Sequence, residues 1–401
     1  MQQLSRFLRI SMLVLIVSLV STLGAGAMDE GTTSNSNPVH SGAPGAAPWY
    51  MLNTDALAGG SGAPGLQELG ETFTWREAGL SFPYPQDWEL VLQQGYDAVL
   101  IAPQDEGSEE IAYITMQSTS VDPDQSLEQN MTELLPDLAD DLTESSLGDL
   151  DALSLDISDE NQHTRLITFS AADGYAGLMV LSSSASIWDE WEGTFETIVS
   201  EAEFTPLELD HEALNAQMLE SFEADGTLTV GDPEAPIVVV EFLDFSCGHC
   251  ANFSHQMDRL VQDFVPSGEA RVTFNILVGV GGEFSRIAAQ AKYCGVTLGY
   301  GWDMHGLIFA EYTTKGPQEA YTQDNLIEAV ENADFDIDSD AFAACMEEAD
   351  FSEVLTANQA RASELEVTGT PTVFVGEDGG ELTSPPRLLI LLYQEINSLL
   401  E

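Results

Sequence analysis

Basic residues are nearly missing from this chain. Lys292 and Lys315 are its only lysines, and Lys and Arg together number 11 against 68 Asp and Glu, a formal net charge of −57. Such a field repels phosphate backbones and anionic lipid, which excludes nucleic acid as a partner. The acidity is spread along the chain rather than gathered in a tail. It describes a solvated surface, suited either to a saline or acidic habitat or to a secreted protein kept soluble by charge. Cysteine is scarce too: Cys247, Cys250, Cys294 and Cys345 are the whole set. Four thiols in 401 residues do not make a disulfide-stapled miniature fold. No H-x-x-H occurs, and no carboxylate spacing singles out a calcium loop or an acid/base pair. No metal and no bound cofactor is therefore expected. Long apolar runs are absent beyond residue 27, so no later segment reads as a membrane span.

What is present divides the chain. A length of 401 residues predicts about two domains, and 44% apolar residues can fill a core in each. The first 27 residues read as a signal peptide: Arg6 and Arg9, an apolar run from Ile10 to Leu23, and small residues at Ala25-Gly26-Ala27. This places the mature protein outside the cytoplasm, where disulfides persist. The run is short for a membrane span, but it comes near the roughly 20 residues one needs, so an uncleaved N-terminal membrane anchor is the alternative. Residues 28–68 are rich in Gly, Ala, Ser, Pro and Asn and read as a flexible linker.

Residues 70–205 have the texture of a sheet. Short alternating or apolar runs recur, from Leu80-Ser81-Phe82 and Trp88–Leu92 to Arg165–Phe169 and Ala176–Leu181, separated by Gly, Asp, Asn and Pro. Ser126 and Gln129 form a capping box before a helix lined by Leu127, Met131, Leu134, Leu135 and Leu138, which Pro136 should kink. Trp188, Trp191, Phe195 and Ile198 recur at helical spacing and predict a second helix. The reading is an α+β domain with an antiparallel sheet. His163 reads as a lone surface residue and the tryptophan stripe as core. Phe82-Pro83-Tyr84-Pro85 with Trp88, and the closing Phe204-Thr205-Pro206, resemble the opening and end of PsbP/DcrB-like extracytoplasmic domains. That likeness implies binding or scaffolding and carries no site. Residues 206–224 read as a linker with a short helix around Ala213, Met218, Leu219 and Phe222.

From 225 onward the chain becomes specific. Pro236–Leu243 is an almost continuous apolar, β-branched run, which marks a strand buried on both faces. Cys247-Gly248-His249-Cys250 follows, and then Phe253, Met257, Leu260, Val261 and Phe264 fall on one helical face. The C-x-x-C therefore sits where a strand turns into a helix. A helix N-terminus favours an anion, so Cys247 should be an acidified, nucleophilic thiol, with a protonated His249 adding a cation. Cys250, one turn in, should resolve the mixed disulfide. Zinc is the other use of C-x-x-C, but Cys294 and Cys345 are too far apart to supply the second ligand pair. A purely structural Cys247–Cys250 bridge would close an unusually tight loop. His255 should lie on the exposed face of this helix, and His305 should pack or cap.

Strand, C-x-x-C, helix is the thioredoxin-fold redox motif, and Glu241-Phe242-x-Asp244-Phe245-x-Cys247-x-x-Cys250 resembles its DsbA branch. Downstream residues agree: the strand Arg271–Ile276, the stretch Ala288–Cys294, Trp302-x-Met304-His305, and Val367-Thr368-Gly369-Thr370-Pro371-Thr372. The resemblance implies a thioredoxin-like α/β fold over 225–401 with a helical insertion at about 283–362. It implies that Pro371 is cis and faces the dithiol, that the Thr370 backbone pairs with substrate, and that Glu241 is a buried acid serving the Cys250 proton. It also implies a second disulfide, Cys294–Cys345, against the alternative of two separate thiols. The implied activity is thiol–disulfide exchange with cysteine-containing exported proteins, served by a membrane redox partner of the DsbB or VKOR kind. Two residues depart from the oxidase pattern: Gly248 stands where those enzymes keep proline, and Thr370 where they favour valine. The Gly-His dipeptide is similar to that of the disulfide isomerases. Oxidase is the leading expectation. An isomerase or reductase, and a non-enzymatic binding protein on a thioredoxin scaffold, stay open.

Overall fold

The computed structural model describes residues 69–401 apart from 93–95, 105–107 and 173. The leader and the 28–68 linker lie outside the described residues.

Alternation builds the first domain. Strands β1 (Leu69–Trp75), β2 (Leu80–Pro85), β3 (Glu89–Val91), β4 (Ala98–Ile101) and β5 (Ala112–Ser120) precede helix α1 (Leu127–Leu134). Then come β6 (Thr143–Leu147), β7 (Leu150–Ser158), β8 (Gln162–Ala172), β9 (Tyr175–Ser184), helix α2 (Trp188–Ser200) and β10 (Glu203–Phe204). One antiparallel sheet has the order β3-β4-β5-β9-β8-β7-β6, and a smaller one β1-β2-β10. Trp75, Phe82, Ile114, Phe169, Phe195 and Ile198 fill the core beneath them. Trp188 belongs to that core, and His163 is not alone: its ring stacks on Trp188 at 3.6 Å and its Nε2 lies 3.4 Å from Asp156. The Ser126/Gln129 capping box forms. Pro136 stops α1 rather than kinking it. The ring clashes with a helical conformation in the residue before it, and Leu135 is already off the helix at φ −129°, ψ 55°.

The segment read as a linker is mostly structured. Helix α3 (His211–Asp225) is capped by the Asp210 side chain and ended by Gly226 at φ 79°. Its Leu214 and Met218 are buried in the core of the second domain. A few apolar residues suffice because α3 lies across the insert: Asn215 Oδ1 accepts from the Trp302 backbone N–H at 2.7 Å.

The second domain continues with β11 (Leu228–Val230), β12 (Ile237–Leu243), helix α4 (Gly248–Phe264) and β13 (Ala270–Ile276). The insert follows as α5 (Glu283–Thr297), α6 (Gly301–Lys315), α7 (Pro317–Ala320), α8 (Gln323–Glu331), α9 (Ser339–Glu348) and α10 (Ser352–Glu364). Strand β14 (Thr372–Glu377) and helix α11 (Leu389–Leu400) close the chain. The sheet order is β11-β13-β12-β14, with β12 and β13 parallel and the other pairs antiparallel. The β-branched run of β12 is buried along nearly its whole length, as a central strand covered on both faces must be. Cys294 on α5 is bonded to Cys345 on α9.

The two domains meet on α4. His255, expected on an exposed face, is only 1% exposed. The first domain covers that face: His255 stacks on Tyr175 with ring centroids 4.1 Å apart, and its Nε2 lies 2.6 Å from the Glu77 carbonyl oxygen. One turn on, the Arg259 guanidinium donates to the carbonyls of Thr205 at 2.9 Å and Ala171 at 3.2 Å. Gly79 leaves room for that guanidinium, since a Cβ there would lie 2.5 Å from Arg259 Nη2.

Candidate active site

Strand β12 ends at Leu243, and four residues later Cys247 stands at the N-cap of α4. Asp244 shapes the turn between them. It is 1% exposed, and its Oδ1 accepts from Ser246 N–H at 2.9 Å and from the Ser285 hydroxyl at 2.6 Å. Its Oδ2 accepts from Gly279 and Val280 N–H, both at 2.8 Å. One carboxylate thus fastens the 277–282 loop to the cysteine turn. The approach is close enough that a Cβ on Gly281 would fall 2.2 Å from Ser246 Oγ.

Cys247 and Cys250 are free thiols, 7% and 0% exposed. Their acidities diverge. The Cys250 side chain, helped by Thr370 and the backbone N–H groups of Cys250 and His249, pulls the Cys247 thiol down to about 5 against the opposing effect of burial. Burial, then the neighbouring Cys247 sulfur, pushes Cys250 well above the ordinary thiol range. His249 acts on the sulfur through its backbone N–H, and its side chain is exposed. The attacking thiol is therefore ionised at neutral pH while its partner holds its proton.

The peptide bond Thr370–Pro371 is cis, and the Cys247 thiol faces it, donating to the Thr370 carbonyl at 3.4 Å. Among the described residues the buried Thr370 hydroxyl has no other partner, and it can turn toward the sulfur once it ionises. Glu241 lies on β12, 1% exposed, and among the described residues its Oε2 has no hydrogen-bond partner. Burial, and then the charge of Asp258, raises it to about 8, so it is protonated at neutral pH. When it does ionise, its charge raises Cys250 further. Cys247, Cys250, Thr370, Pro371 and Glu241 thus come together from three segments of chain, while Cys294 and Cys345 are bonded within the insert. His305 packs among Phe245, Phe274 and Trp302.

Residues outside the motif complete the surroundings. Arg387 Nη1 donates to the Pro371 carbonyl at 3.0 Å and holds the cis segment from the far side. The buried Tyr321 hydroxyl lies 3.0 Å from the carbonyl oxygen of Phe245, two residues before Cys247. Tyr312 is close enough to feel the charges of both cysteines. Sequence reading missed these three, because each reaches the site from a loop or the insert with no local pattern to mark it.

A family model described as Thioredoxin matches residues 223–386. The C-terminal half has a thioredoxin-like fold with a helical insert. A curated relative, the probable disulfide bond formation protein D of Bacillus cereus, is 27% identical over 169 residues, covering 41% of this chain and 76% of its own length. Among solved structures, oxidised BdbD from Bacillus subtilis is 23% identical, with 44% of this chain and 93% of that one covered at a TM-score of 0.38. DsbA from Chlamydia trachomatis is 27% identical, covering 43% and 88% at a TM-score of 0.36. No helix among the described residues is long and apolar enough to cross a membrane.

Proposed function

We propose that this chain is an exported protein-disulfide oxidoreductase that works chiefly as an oxidase, with Cys247 as the exchanging sulfur. The observation that carries the reading is the split between the two thiols: Cys247 at about 5 at a helix N-cap, Cys250 well above the ordinary range one turn away. A stabilised thiolate stabilises the reduced form, and so makes the disulfide form an oxidant.

In the oxidising direction a substrate thiolate attacks Cys247 of the Cys247–Cys250 disulfide. The substrate–Cys247 bond forms, the Cys247–Cys250 bond breaks, and Cys250 leaves as an anion. Glu241, protonated at neutral pH, supplies the proton that Cys250 requires. A second substrate thiolate then attacks the substrate sulfur of the mixed disulfide. The substrate leaves oxidised, and Cys247 departs as the thiolate its setting favours. The Thr370 backbone beside cis-Pro371 aligns the substrate as an added strand. The reduced enzyme is reoxidised by a membrane partner of the DsbB or VKOR kind. The signal peptide read over residues 1–27 of the sequence supports a site of action outside the cytoplasm. The name of the Bacillus cereus relative, disulfide bond formation, supports the oxidising direction. Cys294–Cys345 is a structural bond within the insert and takes no part in exchange.

The test is a trap. Cys250→Ser, mixed with a disulfide-bonded peptide, should accumulate a mixed disulfide at Cys247, visible as an adduct mass. Cys247→Ser should form none. Adduct on Cys250 in the second variant, or no adduct in the first, would overturn the assignment of roles.

A further inference from the structure

Asp244 is a carboxylate buried among neutral groups. Its donors are the backbone N–H groups of Ser246, Gly279 and Val280 and the Ser285 hydroxyl, and none of them carries a charge. Burying a carboxylate without a cation is costly unless its lone pairs are filled, and here two donors fill each oxygen. The donors come from three places. Ser246 precedes Cys247. Gly279 and Val280 lie in the loop that leaves β13. Ser285 is fully buried in the first turn of α5, the helix that opens the insert. The Ser285 oxygen also accepts from the Gly281 N–H at 2.9 Å, so the loop, the insert and the cysteine turn are joined through one carboxylate and one hydroxyl.

The main chain of Asp244 serves both cysteines. Its carbonyl accepts the Cys247 N–H at 2.9 Å, and its own N–H acts on the Cys250 sulfur. The Cys247 sulfur is in turn served by the N–H groups of His249 and Cys250. Those groups face the sulfur only while the turn from 244 to 247 keeps its shape. The Ser246 hydroxyl does not hold that turn: it is buried with no partner among the described residues. The Gly281 backbone lies so close to it that a Cβ there would fall 2.2 Å from the Ser246 oxygen. The bond from the Ser246 N–H to the Asp244 carboxylate is what fixes the turn from the side-chain direction.

We propose that Asp244 is a positioning residue for Cys247: its carboxylate ties the insert and the 277–282 loop to the cysteine turn, and so keeps the first-turn N–H groups of α4 aimed at the attacking sulfur. Its part in exchange rests on the oxidoreductase reading above; its hold on the ionisation of the sulfur does not. Through Ser285 the insert then acts on the dithiol from outside the C-x-x-C motif. Geometry and charge make opposite predictions for a substitution. Asparagine at 244 has one acceptor oxygen where the carboxylate has two, so at least one backbone N–H loses its partner and the turn loosens. A loosened turn serves the thiolate less well and raises the ionisation of Cys247. Deleting a negative charge near a thiolate would lower it instead.

The test follows thiolate absorbance against pH in the reduced full chain. Asp244→Asn should move the Cys247 ionisation up by about one pH unit, a loss of thiolate stability of about tenfold, and lower the reduction potential by about 30 mV. No shift would leave Asp244 a structural residue only, and a downward shift would assign it an effect of charge; either result overturns the proposal. Asp97→Asn is the control for general loosening, because that carboxylate accepts from the Trp75 indole at 2.8 Å and the Ser118 N–H at 2.6 Å within the first domain. It should leave the Cys247 ionisation in place, and a shift equal to that of Asp244→Asn would overturn the proposal. Should Asp244→Asn not fold, Ser285→Ala takes its place, since it keeps the carboxylate and removes one of its donors. A rise of about half a unit, or about threefold, supports the role, and an unmoved ionisation overturns it. Trapping of a disulfide-bonded peptide by Cys250→Ser, run alongside, reports on the redox reading separately. An adduct with no shift in Asp244→Asn would spare that reading and remove the positioning role; a shift without an adduct would do the reverse.

Discussion

Helix α4 meets two different worlds along its length. Its first turn is a chemical device: Cys247 at the N-cap, Cys250 one turn in, the cis-proline segment opposite. Its later turns are a joint, where Ala251, His255 and Arg259 are bonded by the first domain. The first turn depends on neighbours close in sequence, since the cap, the C-x-x-C and the end of β12 all fall within about ten residues. The joint depends on partners far away: Glu77 lies 178 residues from His255, and Ala171 lies 88 from Arg259. Local devices announce themselves as motifs, and long-range joints do not.

That contrast can be broken by mutation. The larger effect should come from Arg259→Ala. It removes a buried guanidinium and strands the Thr205 and Ala171 carbonyls, each of which then lacks its donor. A loss of about 2–3 kcal/mol in chemical unfolding is expected. If the joint and the device are separate, the ionisation of Cys247 followed by thiolate absorbance stays near 5. A shift of a full unit or more would show that the joint sets the chemistry. A smaller effect is expected from Tyr175→Phe, which deletes the hydroxyl that donates to the Ala251 carbonyl at 2.9 Å, one residue past Cys250. The cost should be about 1 kcal/mol. This bond touches the boundary between the two parts, so a measurable rise in the Cys247 ionisation here, with none in Arg259→Ala, would place that boundary at the second turn of the helix.

The same contrast explains what could be read from the sequence. The α+β and thioredoxin-like classes were legible because alternation and the β-branched run of β12 encode burial on one face and on two. The dithiol, Glu241 and the Thr370–Pro371 segment were legible because each sits in a short, ordered motif. Helix α3 was read as a short helix within a linker, and its packing into the second domain was missed, because only a narrow stripe of it is apolar. The exposure of His255 was misjudged because a helix face looks free until the partner that covers it is known. Arg387, Tyr312 and Tyr321 escaped for the reason the joint did: the fold brings them to the cysteines from a loop and a helical insert.

The most direct test of the account is the reduction potential of Cys247–Cys250 in the full chain, measured by glutathione equilibration from pH 5.5 to 8. With Cys247 already ionised over that range, reduction takes up a single proton, so the potential should fall by about 30 mV per pH unit. Its value near pH 7 should lie between about −120 and −180 mV. A potential near −270 mV, with a slope of about 59 mV per unit, would mean a protonated Cys247 and a thioredoxin-like reductant, and would contradict the account at its centre.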